Sequence, residues 1–289
     1  MRKLIGLLAV VLATVAATAA PAGAVTGNYV KDFEHPFVGL AVFYDADGEF
    51  LHRCSGSLLT PIVFLTAGHC TDGATTARVY FQQGAGANYD PETGRDPITG
   101  YPETCRTEPC ATSDELYNYG FVDFQGFPNT RDVGLIILDE RIVLSEYGAL
   151  AAAGTLDRLA NRRGQQEVTF AISGYGVTNA QPQHAASYRE RLMATVRLVN
   201  LRSALTKGFN VQISGNPGGG RGGTCFGDSG GPLFYPADSN VIVGVTSFVI
   251  NPWCRGTTFS YRTDQKAVIA WILATVPERE VGKIRIVRV

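Results

Sequence analysis

Nine short apolar runs, at 37–44, 57–65, 77–81, 133–138, 168–172, 192–199, 211–213, 233–235 and 241–249, are separated by turn residues, and one stretch alone carries a helical period. Runs of this length, rich in β-branched and aromatic residues, predict strands and an all-β chain. The helical stretch, 264–276, sets Val268, Ile269, Ile272 and Leu273 on one side, and Pro277 ends it. No fixed-period repeat suggests a solenoid. Residues 84–110 are rich in Gly, Pro, Asp and Glu, which predicts an irregular exposed loop. Its carboxylates leave calcium binding or substrate recognition open. Asp45-Ala46-Asp47-Gly48 lacks the later ligands of a calcium loop and joins two strand-like runs, so it is expected to be a hairpin turn.

The start of the chain bears on compartment. Met1-Arg2-Lys3 is basic, residues 4–20 are apolar, and Ala22-Gly23-Ala24 has the small-x-small pattern that signal peptidase cuts. Residues 1–24 are therefore expected to be a signal peptide, leaving Val25 first in a secreted, extracellular chain without a membrane anchor. Loss of the two charges of Arg2 and Lys3 takes the formal net charge from −1 to −3. With no basic block and no interleaved aromatics, a nucleic-acid partner is not expected. No nucleotide, flavin or haem motif appears, so no cofactor is expected. Six cysteines in an exported chain read as disulfides, although spacing alone leaves their pairing open.

Two segments carry chemistry. A serine hydroxyl is a poor nucleophile at neutral pH and needs an adjacent base, usually a histidine oriented by a carboxylate. In Gly227-Asp228-Ser229-Gly230-Gly231-Pro232, Ser229 stands among glycines that permit tight turns and let successive N–H groups converge on a carbonyl oxygen. Of the four histidines, His35, His52, His69 and His184, only His69 has an informative context. The apolar run Ile62-Val63-Phe64-Leu65 and the small residues Thr66-Ala67-Gly68 deliver it to a turn beside Cys70.

Thr66-Ala67-Gly68-His69-Cys70, Asp132-Val133-Gly134-Leu135-Ile136-Ile137-Leu138 and the Ser229 hexapeptide, in that order, resemble the three signature segments of trypsin-like, or chymotrypsin-family, serine proteases. The resemblance covers nearly the whole chain after residue 24, and its start is most similar to secreted bacterial members. It implies two antiparallel six-stranded β-barrels with a C-terminal helix: residues 25–143 carrying His69 and Asp132, and residues 144–289 carrying Ser229, the helix and the tail. Ser229 is then the nucleophile, His69 the base, Asp132 its orienting carboxylate, and the N–H groups of Gly227 and Ser229 the oxyanion hole. Asp123 and Asp139 flank the same region, and the apolar run after Asp132 favours Asp132 over them. The implied bridges are Cys54 with Cys70 and Cys225 with Cys254. A local bridge is expected between Cys105 and Cys110, with metal ligation the competing reading.

The same likeness implies a monomeric endopeptidase acting on protein or peptide substrates. No cleavage site after a basic residue precedes an Ile-Val-Gly-Gly start, so signal removal itself is expected to free the Val25 ammonium to pair with Asp228. Gly223 stands where trypsin-like members carry the aspartate that recognises Arg or Lys, so such cleavage is disfavoured. Ser247-Phe248-Val249 aligns with the segment that pairs with substrate backbone, and Thr258 is expected to face Val249. Two branched side chains at the pocket mouth predict cleavage after small apolar residues. A catalytically silent binding module and an esterase-like hydrolase are the alternatives. The tail 283–289 alternates basic and apolar residues as an edge strand does, with no function assigned.

Overall fold

The computed structural model describes residues 25–85, 105, 109–159, 167–178, 180, 189–215 and 221–289. The signal segment, His184 and most of the 84–110 loop lie outside these residues. Two antiparallel sheets account for most of the described chain. In the first, seven strands run in the spatial order Cys110–Ser113, Thr76–Tyr80, Val38–Tyr44, Phe50–Leu58, Val63–Thr66, Gly134–Ile137 and Glu115–Asn118. Its ends approach each other, since Ser113 Oγ donates to the Ile137 carbonyl (2.7 Å) and the Asp139 N–H to the Thr112 carbonyl (3.0 Å). In the second, the strands Pro232–Phe234, Thr169–Gly174, Leu192–Asn200, Asn210–Ser214, Thr257–Arg262 and Val241–Val249 close into a ring, the last pairing back onto the first. The fold is the expected pair of barrels; the first has seven short strands rather than six.

Burial explains the strands that the sequence announces. All seven residues of Val38–Tyr44 are buried, and Val63–Thr66 and Gly134–Ile137 are buried throughout, so these apolar runs lie between the barrel core and covering chain. The run expected at 57–65 is two strands. Thr60 breaks it, its Oγ1 accepting the N–H groups of Ile62 (3.4 Å) and Val63 (3.2 Å) in a tight turn at Pro61. The strand Phe50–Leu58 was otherwise unannounced because its sequence, with His52, Arg53 and two serines, is polar. Asp45 makes the hairpin turn, its Oδ1 accepting the N–H groups of Asp47 (3.0 Å) and Glu49 (2.9 Å).

Chain termini cross the expected division between barrels. Thr26–Gly27 pairs with Gly222–Gly223 in a separate two-stranded sheet, and Val30–Lys31 pairs with Met193 and Leu192 of the second sheet, so the leading segment of the unit expected at 25–143 is bound to the second barrel. Conversely, the helix Lys266–Thr275 buries Val268 and Ile272 in the core cluster centred on the first barrel, with Trp271 against Tyr119 (5.2 Å between rings). The tail strand Ile286–Val287 pairs in parallel with Ala149–Ala151 at the edge of the second sheet. Arg191 ties the barrels together from a buried position, donating to the carbonyls of Val38 and Phe81 (both 3.1 Å) and to the Tyr175 hydroxyl (3.2 Å). All three expected disulfides are present: Cys54 with Cys70, Cys105 with Cys110, and Cys225 with Cys254. The Cys105–Cys110 bridge displaces the metal-ligation reading.

Candidate active site

Strand register brings His69 and Asp132 together. Thr66 pairs with Gly134 in an antiparallel ladder, so the chain leaving Thr66 and the chain entering Gly134 emerge at the same end. His69 sits in the single helical turn Gly68–Thr71 that follows, and Asp132 stands two residues before Gly134. The Asp132 carboxylate is fully buried and accepts His69 Nδ1–H (2.9 Å to Oδ2), the His69 backbone N–H (2.8 Å to Oδ1) and the Ser247 hydroxyl (2.5 Å). Burial by itself would lower the His69 pKa, but the charge of Asp132 and its hydrogen bond outweigh this and raise it above the ordinary value. Asp123 is exposed at the surface, and Asp139 is taken up by Thr112 Oγ1 (2.8 Å).

The Ser229 segment is pressed against this turn from the second barrel. The Ser55 N–H donates to the Ser229 carbonyl (2.7 Å), and the Gly230 N–H to the Thr246 carbonyl (2.7 Å). Gly230 has φ +77°, and a Cβ there would lie 2.7 Å from the Ala67 nitrogen, so only glycine lets the nucleophile strand approach the histidine turn this closely. Ser229 itself is half-buried, and among the described residues no hydrogen bond joins its hydroxyl to His69. Catalytic hydrogen bonds of this kind often tighten only with substrate bound.

The backbone up to Ser229 keeps the N–H groups of Gly227 and Ser229 without acceptors among the described residues. The Phe226 carbonyl accepts the Val177 N–H (2.8 Å), and because a trans peptide points its N–H opposite to its carbonyl, the Gly227 N–H faces away from that bond. Asp228 is buried, its carboxylate accepting the N–H groups of Gly176 and Cys225 (both 2.9 Å). Burial pushes its pKa up to about 7, against the opposing pull of the two N–H bonds and of the nearby Arg53 charge. The Val25–Asp228 ion pair is expected of the chain cleaved after Ala24; in the uncleaved chain Val25 is internal and has no ammonium to offer. Val25 is nevertheless buried, with φ +104°, a backbone conformation costly for a β-branched residue. Its neighbour Thr26 pairs with Gly223 and donates Oγ1 to the Gly223 carbonyl (3.2 Å).

Of the residues expected to bind substrate, Val249 and Thr258 are cross-strand neighbours, and Phe248 stacks on Phe259 with ring centroids 4.5 Å apart. Sequence reasoning missed an aromatic row on the segment before Asp132. Phe121 lies 5.8 Å from the His69 ring, Phe124 lies 5.1 Å from Phe121, and both Phe124 and Phe127 meet Phe248 edge-on at 5.7 Å. Three phenylalanines within 121–127 were the available signal. Also missed was Ser55, which no motif contained.

Two antiparallel barrels, a His–Asp pair on the first and a glycine-flanked serine on the second, define the chymotrypsin-like class of serine proteases. The family model described as Trypsin matches residues 34–272, and the chain belongs to that family. It is 28% identical over 243 residues to chymotrypsin-like elastase family member 1 of Felis catus, covering 81% of this chain and 82% of the cat protein. The structure of HL collagenase aligns with TM-score 0.63 at 19% identity, covering 86% of this chain and 97% of that one. A scabies mite inactivated protease paralogue, S-D1, shares the fold with TM-score 0.57 at 16% identity, over 91% of this chain and 99% of the other. The cat and mite proteins are animal proteins, and the expected likeness to bacterial members is not what they show. No helix among the described residues is long and apolar enough to cross a membrane.

Proposed function

We propose that this chain is the precursor of a secreted serine endopeptidase that works through Ser229, His69 and Asp132 after removal of residues 1–24. The observation that carries the proposal is the buried Asp132 carboxylate holding His69 Nδ1–H at 2.9 Å, on a chain whose Ser229 lies in the oxyanion-type loop. Ser229 Oγ attacks the scissile carbonyl carbon while His69 Nε2 takes its proton. The carbonyl oxygen, now negative, faces the N–H groups of Gly227 and Ser229, each such donor being worth about 3 kcal/mol in the transition state. Collapse breaks the C–N bond, the amine leaves with the proton from His69, and the acyl group stays on Ser229 until a water, deprotonated by His69, releases it.

Processing after Ala24 would also remove the φ constraint at Val25 and create an ammonium on a buried residue whose neighbour Thr26 pairs with Gly223. Pairing that ammonium with Asp228 would replace an unpaired buried carboxylate by an ion pair. The neutral floor at Gly223 and the Val249–Thr258 pair support cleavage after small apolar residues, in keeping with the elastase name of the cat relative.

Intact mass spectrometry of the secreted protein before and after an organofluorophosphate, with peptide mapping, tests this reading. One adduct on Ser229 of a chain beginning at Val25 is expected. Absence of labelling on that chain overturns the reading in favour of a silent member of the fold.

A further inference from the structure

We propose that Ser55, a first-barrel residue outside the triad, positions the oxyanion loop through its side-chain hydroxyl. This rests on the serine-hydrolase reading above. Ser55 is fully buried, and every polar atom it owns beyond the strand ladder is directed at the second barrel or the histidine strand. Its N–H donates to the Ser229 carbonyl (2.7 Å), its carbonyl accepts Thr66 Oγ1 (2.8 Å), and its Oγ bridges the Gly227 carbonyl (2.8 Å) and the Tyr175 N–H (2.9 Å).

The direction of that bridge is fixed by chemistry. A backbone N–H only donates and a carbonyl only accepts, so the single Ser55 O–H must point at Gly227 while a lone pair receives Tyr175. The Gly227 carbonyl is thus braced by a donor that cannot be spent elsewhere. Gly227 needs the brace because it is a glycine at φ +93°, free to rotate between basins that a side chain would forbid. On the other side of the Gly227 Cα, the Phe226 carbonyl is held by Val177, while the 227–228 peptide is held at both ends, its Asp228 N–H donating to the Cys225 carbonyl (3.0 Å) and its Gly227 carbonyl accepting Ser55. Removing the Ser55 hydroxyl frees the Gly227 carbonyl and leaves the 227–228 peptide held at its N–H end alone, so the Gly227 N–H across the Cα is aimed less firmly at the substrate oxygen.

The brace also links the barrels. Tyr175 lies between Ser173, which donates to the buried Asp32, and Gly176, which donates to Asp228. Ser55 Oγ therefore sets the spacing between the segment that holds the Asp228 carboxylate and the loop that carries the oxyanion donors. None of this uses the Ser229 hydroxyl or the His69 ring, so loss of the brace acts on stabilisation of the tetrahedral state and leaves ground-state binding intact.

The test compares Ser55→Ala with Ser57→Ala, a change of the same kind on the same strand at an equally buried serine whose hydroxyl has no partner among the described residues. Rates are referred to sites titrated by the acyl-enzyme burst, so that a poorly folded fraction does not count. For Ser55→Ala, kcat is expected to fall about tenfold with KM changed less than twofold, and affinity for a peptidyl boronic acid to fall in parallel. Ser57→Ala is expected to keep both within twofold. Should the alanine protein not fold, Ser55→Cys, similar in shape but a weak donor, takes its place with the same expected loss. Undiminished kcat and boronate affinity in the folded variant overturn the proposal while leaving the hydrolase reading in place. A wild type that takes no fluorophosphate label overturns both.

Discussion

Ser247 of the second barrel donates its hydroxyl to the same Asp132 carboxylate that holds His69 of the first, so one oxygen pair couples the two halves of the molecule. A hydrogen bond to a buried carboxylate is worth about 1.5 to 3 kcal/mol. Ser247→Ala is therefore expected to lower kcat/KM by roughly tenfold or more. It also leaves the Asp132 carboxylate with one donor fewer, so more of its charge acts on the imidazolium and the acidic limb of the pH–rate profile moves up. A profile displaced downward, or an unchanged rate, contradicts this coupling.

In the wild type the acidic limb reports His69. Its folded pKa is raised by Asp132 despite burial, and the base must be neutral to accept the Ser229 proton. The limb of kcat/KM is accordingly expected above the ordinary histidine value of about 6.5. Stability carries the matching sign: the His69–Asp132 contribution is full below that value and is lost as pH rises through the higher folded pKa. Asp132→Asn should move the limb below 6.5 and reduce kcat by about four orders of magnitude, as judged by steady-state kinetics across pH.

Asp228 predicts different pH behaviour for precursor and processed chain. In the uncleaved chain its pKa is pushed up to about 7, so the folded state binds a proton that the unfolded state has released above about 4. Precursor stability should therefore fall as pH rises between about 4 and 7. Asp228→Asn should abolish this slope. If the processed chain pairs the Val25 ammonium with Asp228 as proposed, that part of the slope should disappear. Urea unfolding at several pH values, on precursor and mature protein, reads both. A further check is one extra residue before Val25, which should reduce peptidase activity sharply; equal activity would remove the ion pair from the mechanism.

The Val249–Thr258 pair predicts a selectivity change. Val249→Gly removes a branched side chain from the proposed pocket mouth and should raise kcat/KM for a Phe substrate relative to an Ala substrate by about tenfold or more, since each methylene of fit is worth about 1 to 3 kcal/mol. Equal turnover of Phe and Ala substrates by the unaltered enzyme would instead assign selectivity to the surrounding loops.

Local chemistry made much of this molecule legible before any coordinates. The runs at 77–81, 133–138 and 241–249 became strands within a residue or two because their side chains are buried whichever neighbour they meet. The tail forms an edge strand at Ile286–Val287, although Ile286 there stays exposed. The polar strand Phe50–Leu58 escaped because its residues become buried only through the partners Val38–Tyr44 and Val63–Thr66, and such pairing is non-local.

By itself, the sequence determined the residue types that the chemistry needs, the glycines that let a backbone turn tightly around Ser229, and the cysteines available to bridge. Tertiary structure alone decided which aspartate meets His69, through the Thr66–Gly134 register. It decided that Val30–Lys31 of the leading segment joins the second sheet, and that Ser55 of one barrel donates to the Gly227 carbonyl of the other. The physical reason is the same in each case: these contacts join residues tens to hundreds of positions apart, and their hydrogen bonds exist only after two barrels have closed around a common interface.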